Sequence, residues 1–235
     1  MNDISSRASA PVRLLLAIGY PLLAHWASHD GGGVPAALAL ADLVLFVTID
    51  GVLSLRPAPW AATLALFGAL AAVTRTPYAQ MLLLTPPVLF NGWLAWWFGR
   101  SLRAPREALI TRIVAALHGC EPRGLAPALY RYTRRLTGLW AAVLIALALI
   151  NGALATIAVP DGVLFRLGYT PAIAISREQW SWFANIINYG VVGGMFAVEY
   201  LVRQHLFKQR PEKNFFDFLR KMAQLGPRFW KELFS

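Results

Sequence analysis

The sequence has little charge, a single cysteine and none of the short motifs that usually carry catalysis. Only 14% of its residues are charged, whereas a water-soluble surface needs roughly a quarter or more. Because Cys120 is the only cysteine, an internal disulfide framework and a metal cage made only of cysteines are excluded. No glycine-rich phosphate loop, HExxH or G-x-S-x-G motif is present. We therefore expect a role other than catalysis, with no cofactor and no metal.

Charge is missing above all from a series of long apolar stretches. They cover residues 34–55, 58–74, 78–99, 137–159 and 180–202, and a weaker stretch covers residues 14–27. A hydrocarbon layer of about 30 Å is crossed by about 20 helical residues, so each of the long stretches can span a membrane. The weaker stretch spans only if its neighbours extend it. Because backbone groups in lipid must be paired within each helix, we expect an all-α fold, a polytopic bundle of about six transmembrane helices.

The basic residues are distributed very unevenly about these spans. With six spans and the N-terminus inside, 19 of the 22 Lys and Arg residues fall on the cytoplasmic side. Positively charged loops stay inside, so the sequence predicts an N-in, C-in orientation. Residues 1–204 form the predicted bundle, including the basic loop 100–136, and residues 205–235 form a cytoplasmic interfacial tail. Since the charges lie beside spans, membrane lipid is the expected partner and nucleic acid is not.

Two amphipathic helices are predicted within the cytoplasmic basic blocks. In the central loop, Pro105 is a suitable first residue of a helix whose apolar positions share one face over residues 109–117, and Gly119 ends it. In the tail, an apolar stripe runs through residues 215–225, with Lys213 among the surrounding charges, before a Gly-Pro break. A tail so rich in phenylalanine is expected on the inner membrane surface or against a partner.

Ionisable residues within or beside the spans are candidates for function, because charge is costly in lipid. Asp42 and Asp50 lie on one broad face of the second span, which suits either a proton or cation relay or a pair of structural hydrogen-bonding groups. For Asp50 the nearby Arg56 favours the structural role. At the inner end of the last span, Glu199 and Arg203 are four residues apart and can therefore pair.

Three further features concern how the spans pack and connect. The run Thr85-Pro86-Pro87 predicts a kink in the stretch 78–99, because proline removes a backbone donor. Asn151 lies in the fifth span, where an amide more often joins helices than binds a ligand. The loop 160–179 includes apolar residues that indicate a short element at the membrane interface.

Three sequence blocks resemble a known family. The blocks are PVLFNGWLAWWFGRSLRAPREALITRI from Pro87 to Ile113, YRYTRRLTGLW and the residues after it from Tyr130 to Asn151, and NYGVVGGMFAVEYLVR from Asn188 to Arg203. They are similar to blocks in a family of small bacterial inner-membrane proteins that accompany the biosynthetic clusters of aryl polyene pigments, including xanthomonadin-type pigments. The long tail and the long loop before the last span depart from that family.

The resemblance implies an accessory protein of the bacterial inner membrane in pigment-lipid biosynthesis. Such clusters assemble a conjugated acyl chain on acyl carrier proteins. Because carrier proteins are typically acidic and the cytoplasmic surface here is basic, the leading hypothesis is a protein that docks this assembly at the membrane. The alternatives are a subunit that transports or flips the polyene lipid, and a membrane acyl or lipid transferase. The candidate functional residues are Arg112, Tyr132, Arg134, Arg135, Asn151, Glu199, Arg203 and Asp42.

Overall fold

The chain folds almost entirely into helices. The structure, a computed structural model, describes residues 2–30, 33–54, 56–74, 76, 81–82, 84–207 and 215–233. The helices are α1 (Asn2–Asp30), α2 (Gly33–Leu53), α3 (Pro57–Thr74), α4 (Thr85–Ser101), α5 (Leu109–Leu117), α6 (Pro127–Ile157), α7 (Val163–Arg166), α8 (Arg177–Trp182), α9 (Asn188–Leu206), α10 (Phe215–Gln224) and α11 (Gly226–Leu233). A 3-10 turn (Pro122–Gly124) precedes α6, and a π-helical turn (Phe183–Ile187) joins α8 to α9. The expected all-α class is confirmed for these residues.

Three of the described helices are long and apolar enough to cross a membrane. They are Val34–Leu53, Pro127–Ile157 and Arg177–Leu206, the last of which runs through α8, the π turn and α9. The apolar helix Pro57–Val73 is shorter. The bundle of about six spans stays a prediction.

Apolar side chains in these helices face outward while polar side chains face inward. Val47 and Leu149 are 66% and 68% exposed, whereas Thr133, Asn151 and Asn185 are buried. A soluble monomer seldom exposes large contiguous apolar patches. Membrane helices, in contrast, turn apolar residues to lipid and place polar residues at helix contacts. The burial pattern is therefore typical of helices that lie in lipid.

The prolines at residues 86 and 87 lie in the first turn of a helix. Helix α4 starts at Thr85, so both prolines occupy its first turn, where a missing backbone N–H costs no hydrogen bond. Residues 81 and 82 are helical and residue 84 is a turn, so the helix is interrupted just before these prolines, and the predicted kink in the stretch 78–99 stays a prediction. Residues 77–80 and 83 of that stretch lie outside the described residues.

Two compact units divide the chain. The first unit comprises Met1–Pro87 and Ile150–Gly190, and the second comprises Val88–Leu149 and Val191–Ser235. The boundary predicted from the sequence, between residues 204 and 205, divides the chain differently, into a membrane bundle and an interfacial tail. This boundary stays a prediction.

Small side chains bring the first two helices of the first unit together. Ala24 and Ala27 of α1 share a buried cluster with Ala36 and Ala39 of α2. Side chains of this size let helix backbones approach closely, which is how helices associate in the absence of a hydrophobic driving force.

A buried carboxylate binds two arginines and so stabilises the loop after α6. The side chain of Asp161 is 3% exposed, and it accepts hydrogen bonds from Arg166 Nη2 at 2.6 Å and from Arg177 Nε at 2.6 Å. Beside it, the two-residue strands β1 (Ala158–Val159) and β2 (Ile175–Ser176) pair in parallel. Helix α7 lies where a short element was predicted in this loop, and its location at the membrane interface stays a prediction.

Candidate functional site

Helix α5 confirms the amphipathic segment predicted in the central loop, but it is shorter at its N-terminus. It begins at Leu109, and Pro105 lies in the turn before it. The backbone N–H of Leu109 donates to Ser101 Oγ at 3.0 Å, which satisfies a donor that the helix itself cannot pair. After the helix, Gly119 adopts a φ of 65°, a left-handed conformation that glycine adopts at little steric cost.

Threonine hydroxyls fix α5 to the first turns of α6. Thr111 Oγ1 and Thr133 Oγ1 are 2.9 Å apart, and both side chains are buried. The backbone N–H of Ile110 donates to Thr137 Oγ1 at 3.2 Å. These contacts were not expected from the sequence, although the four-residue spacing of Thr133 and Thr137 places both on one helix face.

The first turns of α6 have one buried face and one basic face. Leu129 and Leu136 are buried, whereas Arg131, Arg134 and Arg135 are exposed. Since residues three and four apart are neighbours on a helix, the three guanidiniums share one side, which we call the arginine face. Two of the candidate residues, Arg134 and Arg135, therefore lie together on this surface.

Arg112 and Arg134 each bind backbone carbonyl groups. Arg134 Nη2 donates to the carbonyl of Leu102 at 2.9 Å, and its side chain stays exposed. Arg112 donates to the carbonyls of Glu232 at 3.0 Å and Leu233 at 3.4 Å. These carbonyls form the C-terminal end of α11, the negative end of the helix dipole, so the guanidinium stabilises that end.

The predicted pair of Glu199 and Arg203 is confirmed, and it lies in a half-buried cluster. Arg203 Nε is 3.1 Å from Glu199 Oε1, and the hydroxyl of Tyr132 donates to the same oxygen at 3.5 Å. The guanidinium of Arg203 lies 4.7 Å from the ring centre of Phe218 in α10, and the ring of Phe207 is 5.2 Å from that of Tyr132. Because Arg203 is 7% exposed, it holds the tail and is not open to an outside partner.

The tail is part of the second unit and packs against other helices of that unit. Helices α10 and α11 confirm the predicted helical segments and the break between them, where Gly226 has a φ of 79°. Helix α10 contacts α5, and Leu233 at the end of α11 is buried. The placement of this tail on a lipid surface or against a partner stays a prediction. Lys213, predicted beside the apolar stripe, lies outside the described residues.

A polar cavity of about 270 Å3 lies in the second unit between α4, α5 and α11. Arg100, Arg106 and Arg112 line it, and we call it the arginine cavity. The guanidinium of Arg100 stacks over the rings of Trp97 and Trp96, with distances of 4.4 and 4.8 Å to the ring centres. Desolvation, and secondarily the charge of Arg106, lower the pKa of Arg100.

The two acidic residues of α2 have different surroundings. Asp42 is buried, and its Oδ2 has no hydrogen-bond partner in the part of the chain that the structure describes. Asp50 is exposed and forms an ion pair of 2.7 Å with Arg13, and not with Arg56 as its position in the sequence suggested. The structural role favoured for Asp50 therefore has a specific partner in α1.

Asn151 joins two helices of the first unit. It is fully buried, and its Nδ2 donates to Asn188 Oδ1 at 3.4 Å. This contact links α6 to α9 as an amide in a span is expected to do. Among the candidate residues, Asn151 and Asp42 belong to the first unit and all the others to the second.

No protein-family model matches the chain, and no curated protein and no solved structure matches it. Its function is therefore inferred from its own residues and from the resemblance of its three sequence blocks.

Proposed function

We propose that this chain is an accessory protein of the bacterial inner membrane that docks acyl-carrier-linked chain assembly for an aryl polyene or xanthomonadin-type pigment lipid. The observation that carries the proposal is the arginine face, where Arg131, Arg134 and Arg135 are exposed on one side of α6. The part of the proposal that concerns a pigment pathway rests on the sequence resemblance. The partners are membrane lipids and an acyl carrier protein.

The proposal includes a membrane topology of six spans with both termini in the cytoplasm. Three long apolar helices and the placement of 19 of the 22 Lys and Arg residues on one side support it. In this topology the arginine face, α5 and the tail all lie at the cytoplasmic surface.

Charge complementarity is the reason that the arginine face suits a carrier protein. Opposite charges steer association and favour acidic partners, and the effect weakens with salt because the charges are exposed. Each exposed ion pair contributes only about 0.2–1 kcal/mol, so several guanidiniums on one face are needed for useful affinity. Arg112 and Arg203 were also candidates for this contact, but the structure engages both with the tail. Docking is therefore assigned to the arginine face.

Removing two charges from the arginine face should weaken carrier binding. The variant Arg134→Ala/Arg135→Ala is expected to bind acyl carrier protein about 2- to 30-fold more weakly, since two exposed ion pairs contribute about 0.4–2 kcal/mol together. Affinity is measured by capturing purified carrier protein on the detergent-solubilised full-length chain at low and at moderate salt.

The matched control is Arg103→Ala/Arg220→Ala, which removes two exposed arginines of the second unit outside the arginine face. It should bind carrier protein like the wild type. Equal capture by all three proteins, or no capture by any of them, would reject docking.

Transport of the polyene lipid is the second candidate, and the buried carboxyl of Asp42 favours it. Membrane fractionation after gene deletion separates the possibilities. Pigment lipid stranded in the inner membrane would indicate transport, complete absence of polyene would indicate assembly, and an altered head group or an unattached acid would indicate transfer.

A further inference from the structure

The arginine cavity has an excess of positive charge that its own carboxylates do not cancel. Its lining includes Arg100, Arg106 and Arg112 but only the carboxylates of Glu107 and Glu232. Glu107 already accepts hydrogen bonds from two residues that do not line the cavity. Tyr130 donates to it at 2.8 Å and Arg123 donates to it at 3.4 Å. The cavity is therefore suited to an anion.

The positive charge comes from side chains and not from a helix end. Although the cavity includes Leu109, the first residue of α5, its backbone N–H donates to Ser101 Oγ. Two further backbone donors of α5 also have partners, because Ile110 donates to Thr137 Oγ1 and the amide of Arg112 donates to Ala108. Guanidinium groups, which bind phosphate oxygens through parallel N–H groups, are therefore what the cavity presents.

The size of the cavity favours a head group over a complete lipid. Its volume of about 270 Å3 is slightly below the range of about 300–1,000 Å3 that is common for small-molecule pockets. A glycerophosphate group fits such a space, while the acyl chains of a lipid would have to remain outside.

The aromatic residues next to the cavity give those acyl chains a path. Trp97 lines the cavity, and the adjacent Trp96 is 54% exposed. Both rings stack with Arg100 at the end of α4. Tryptophan at the end of a spanning helix is typical of the boundary between lipid chains and head groups. An anion bound by Arg100 would therefore sit at head-group depth.

The tail forms one wall of the cavity and already occupies one of its arginines. Arg112 donates to the carbonyl oxygens of Glu232 and Leu233, so its guanidinium anchors the end of α11. Arg112 is therefore a positioning residue that keeps the wall in place, and Arg100 and Arg106 are the other two arginines that line the cavity.

We propose that the arginine cavity binds the phosphate of an anionic membrane phospholipid through Arg100 and Arg106. A zwitterionic lipid is disfavoured because the cation on its head group would meet the same guanidiniums. This lipid site is separate from the arginine face and does not depend on binding of a carrier protein.

The test uses the full-length chain in detergent micelles, titrated with phosphatidylglycerol that has a fluorescent label on an acyl chain. Phosphatidylcholine with the same label is the lipid control. Arg100→Gln/Arg106→Gln is expected to weaken phosphatidylglycerol binding about tenfold while leaving the weaker phosphatidylcholine binding unchanged. Arg106→Gln alone should weaken it about threefold, and because Arg106 is exposed, this variant keeps the fold.

The matched protein control is Arg134→Gln/Arg135→Gln, which removes the same charge from the arginine face and should leave lipid affinity at the wild-type value. Carrier capture by the cavity variant should also be unchanged, so failure of the lipid site and failure of docking give different results. The proposal would be overturned if the wild type bound the two lipids with equal affinity. It would also be overturned if both double variants lost phosphatidylglycerol affinity to the same extent. Competition by free glycerol 3-phosphate as strong as that of unlabelled phosphatidylglycerol would also overturn it, because the ligand would then be a soluble phosphate ester.

Discussion

Replacing Asp161 by asparagine is expected to open the loop between β1 and β2 and to destabilise the first unit. The carboxylate of Asp161 is almost fully buried between Arg166 and Arg177, so the variant leaves two partly buried guanidiniums without their counter-ion. Loss of one partner of a buried pair costs about 3–5 kcal/mol, and partial exposure of the two arginines reduces this to the lower end of the range. The thermal midpoint in detergent should fall, and trypsin should cleave after Arg166.

The control for this prediction is Glu178→Gln, which removes an exposed carboxylate from α8 at the position that follows Arg177 in the chain. Its thermal midpoint should change little, because exposed charges contribute about 1 kcal/mol or less. Wild-type resistance to trypsin in Asp161→Asn would show that the loop is held by other contacts.

Replacing Arg203 by methionine is expected to release the tail. The half-buried carboxylate of Glu199 would lose its ion pair, and Phe218 would lose the guanidinium that stacks on its ring. The expected cost is about 3 kcal/mol, the lower end of the range for breaking a buried pair, because the carboxylate of Glu199 is partly exposed and keeps the hydrogen bond from Tyr132. In limited proteolysis, trypsin should cleave the exposed tail residue Arg220 much faster than in the wild type.

The double variant Glu199→Gln/Arg203→Met separates the charge from the packing. Removing both members of a buried pair is often close to neutral, so most of the lost stability should return. Tail cleavage should stay partly elevated, because the stacking on Phe218 is still missing. A double variant as unstable as Arg203→Met alone would contradict the view that the unpaired carboxylate causes the loss.

The helical segments could be predicted from sequence because hydrophobic periodicity and helix-breaking residues act locally. The apolar face of α5 and the break at Gly226 were both predicted in this way. Helix boundaries were less predictable, since α6 extends back to Pro127, where its residues are too polar to resemble a span. There the packing of Thr133 against α5, a contact distant in sequence, supports the helix.

The contacts that organise the second unit could be predicted only in part. The pair of Glu199 and Arg203 followed from four-residue spacing within one helix. The contact of Arg112 with the end of α11 joins residues more than a hundred positions apart, and no periodic pattern links them. The sequence also does not predict that Arg134 is exposed and Arg203 is buried. Both are arginines beside apolar segments, and only packing distinguishes them.

Labelling of the single cysteine tests most directly whether the basic surface of the second unit faces the cytoplasm. Cys120 follows α5 and packs against the cluster that includes Leu125, so it reports the side on which this unit lies. A membrane-impermeant maleimide is added to spheroplasts before and after permeabilisation. The comparator is Cys120→Ser/Ala172→Cys, which has its only thiol at an exposed position of the loop between β1 and β2.

The predicted result is that Cys120 is labelled only after permeabilisation, whereas the thiol at position 172 is labelled in intact spheroplasts. Labelling of Cys120 in intact spheroplasts would place the arginine face on the opposite side of the membrane from the cytosolic carrier proteins, and would contradict docking of chain assembly at this surface.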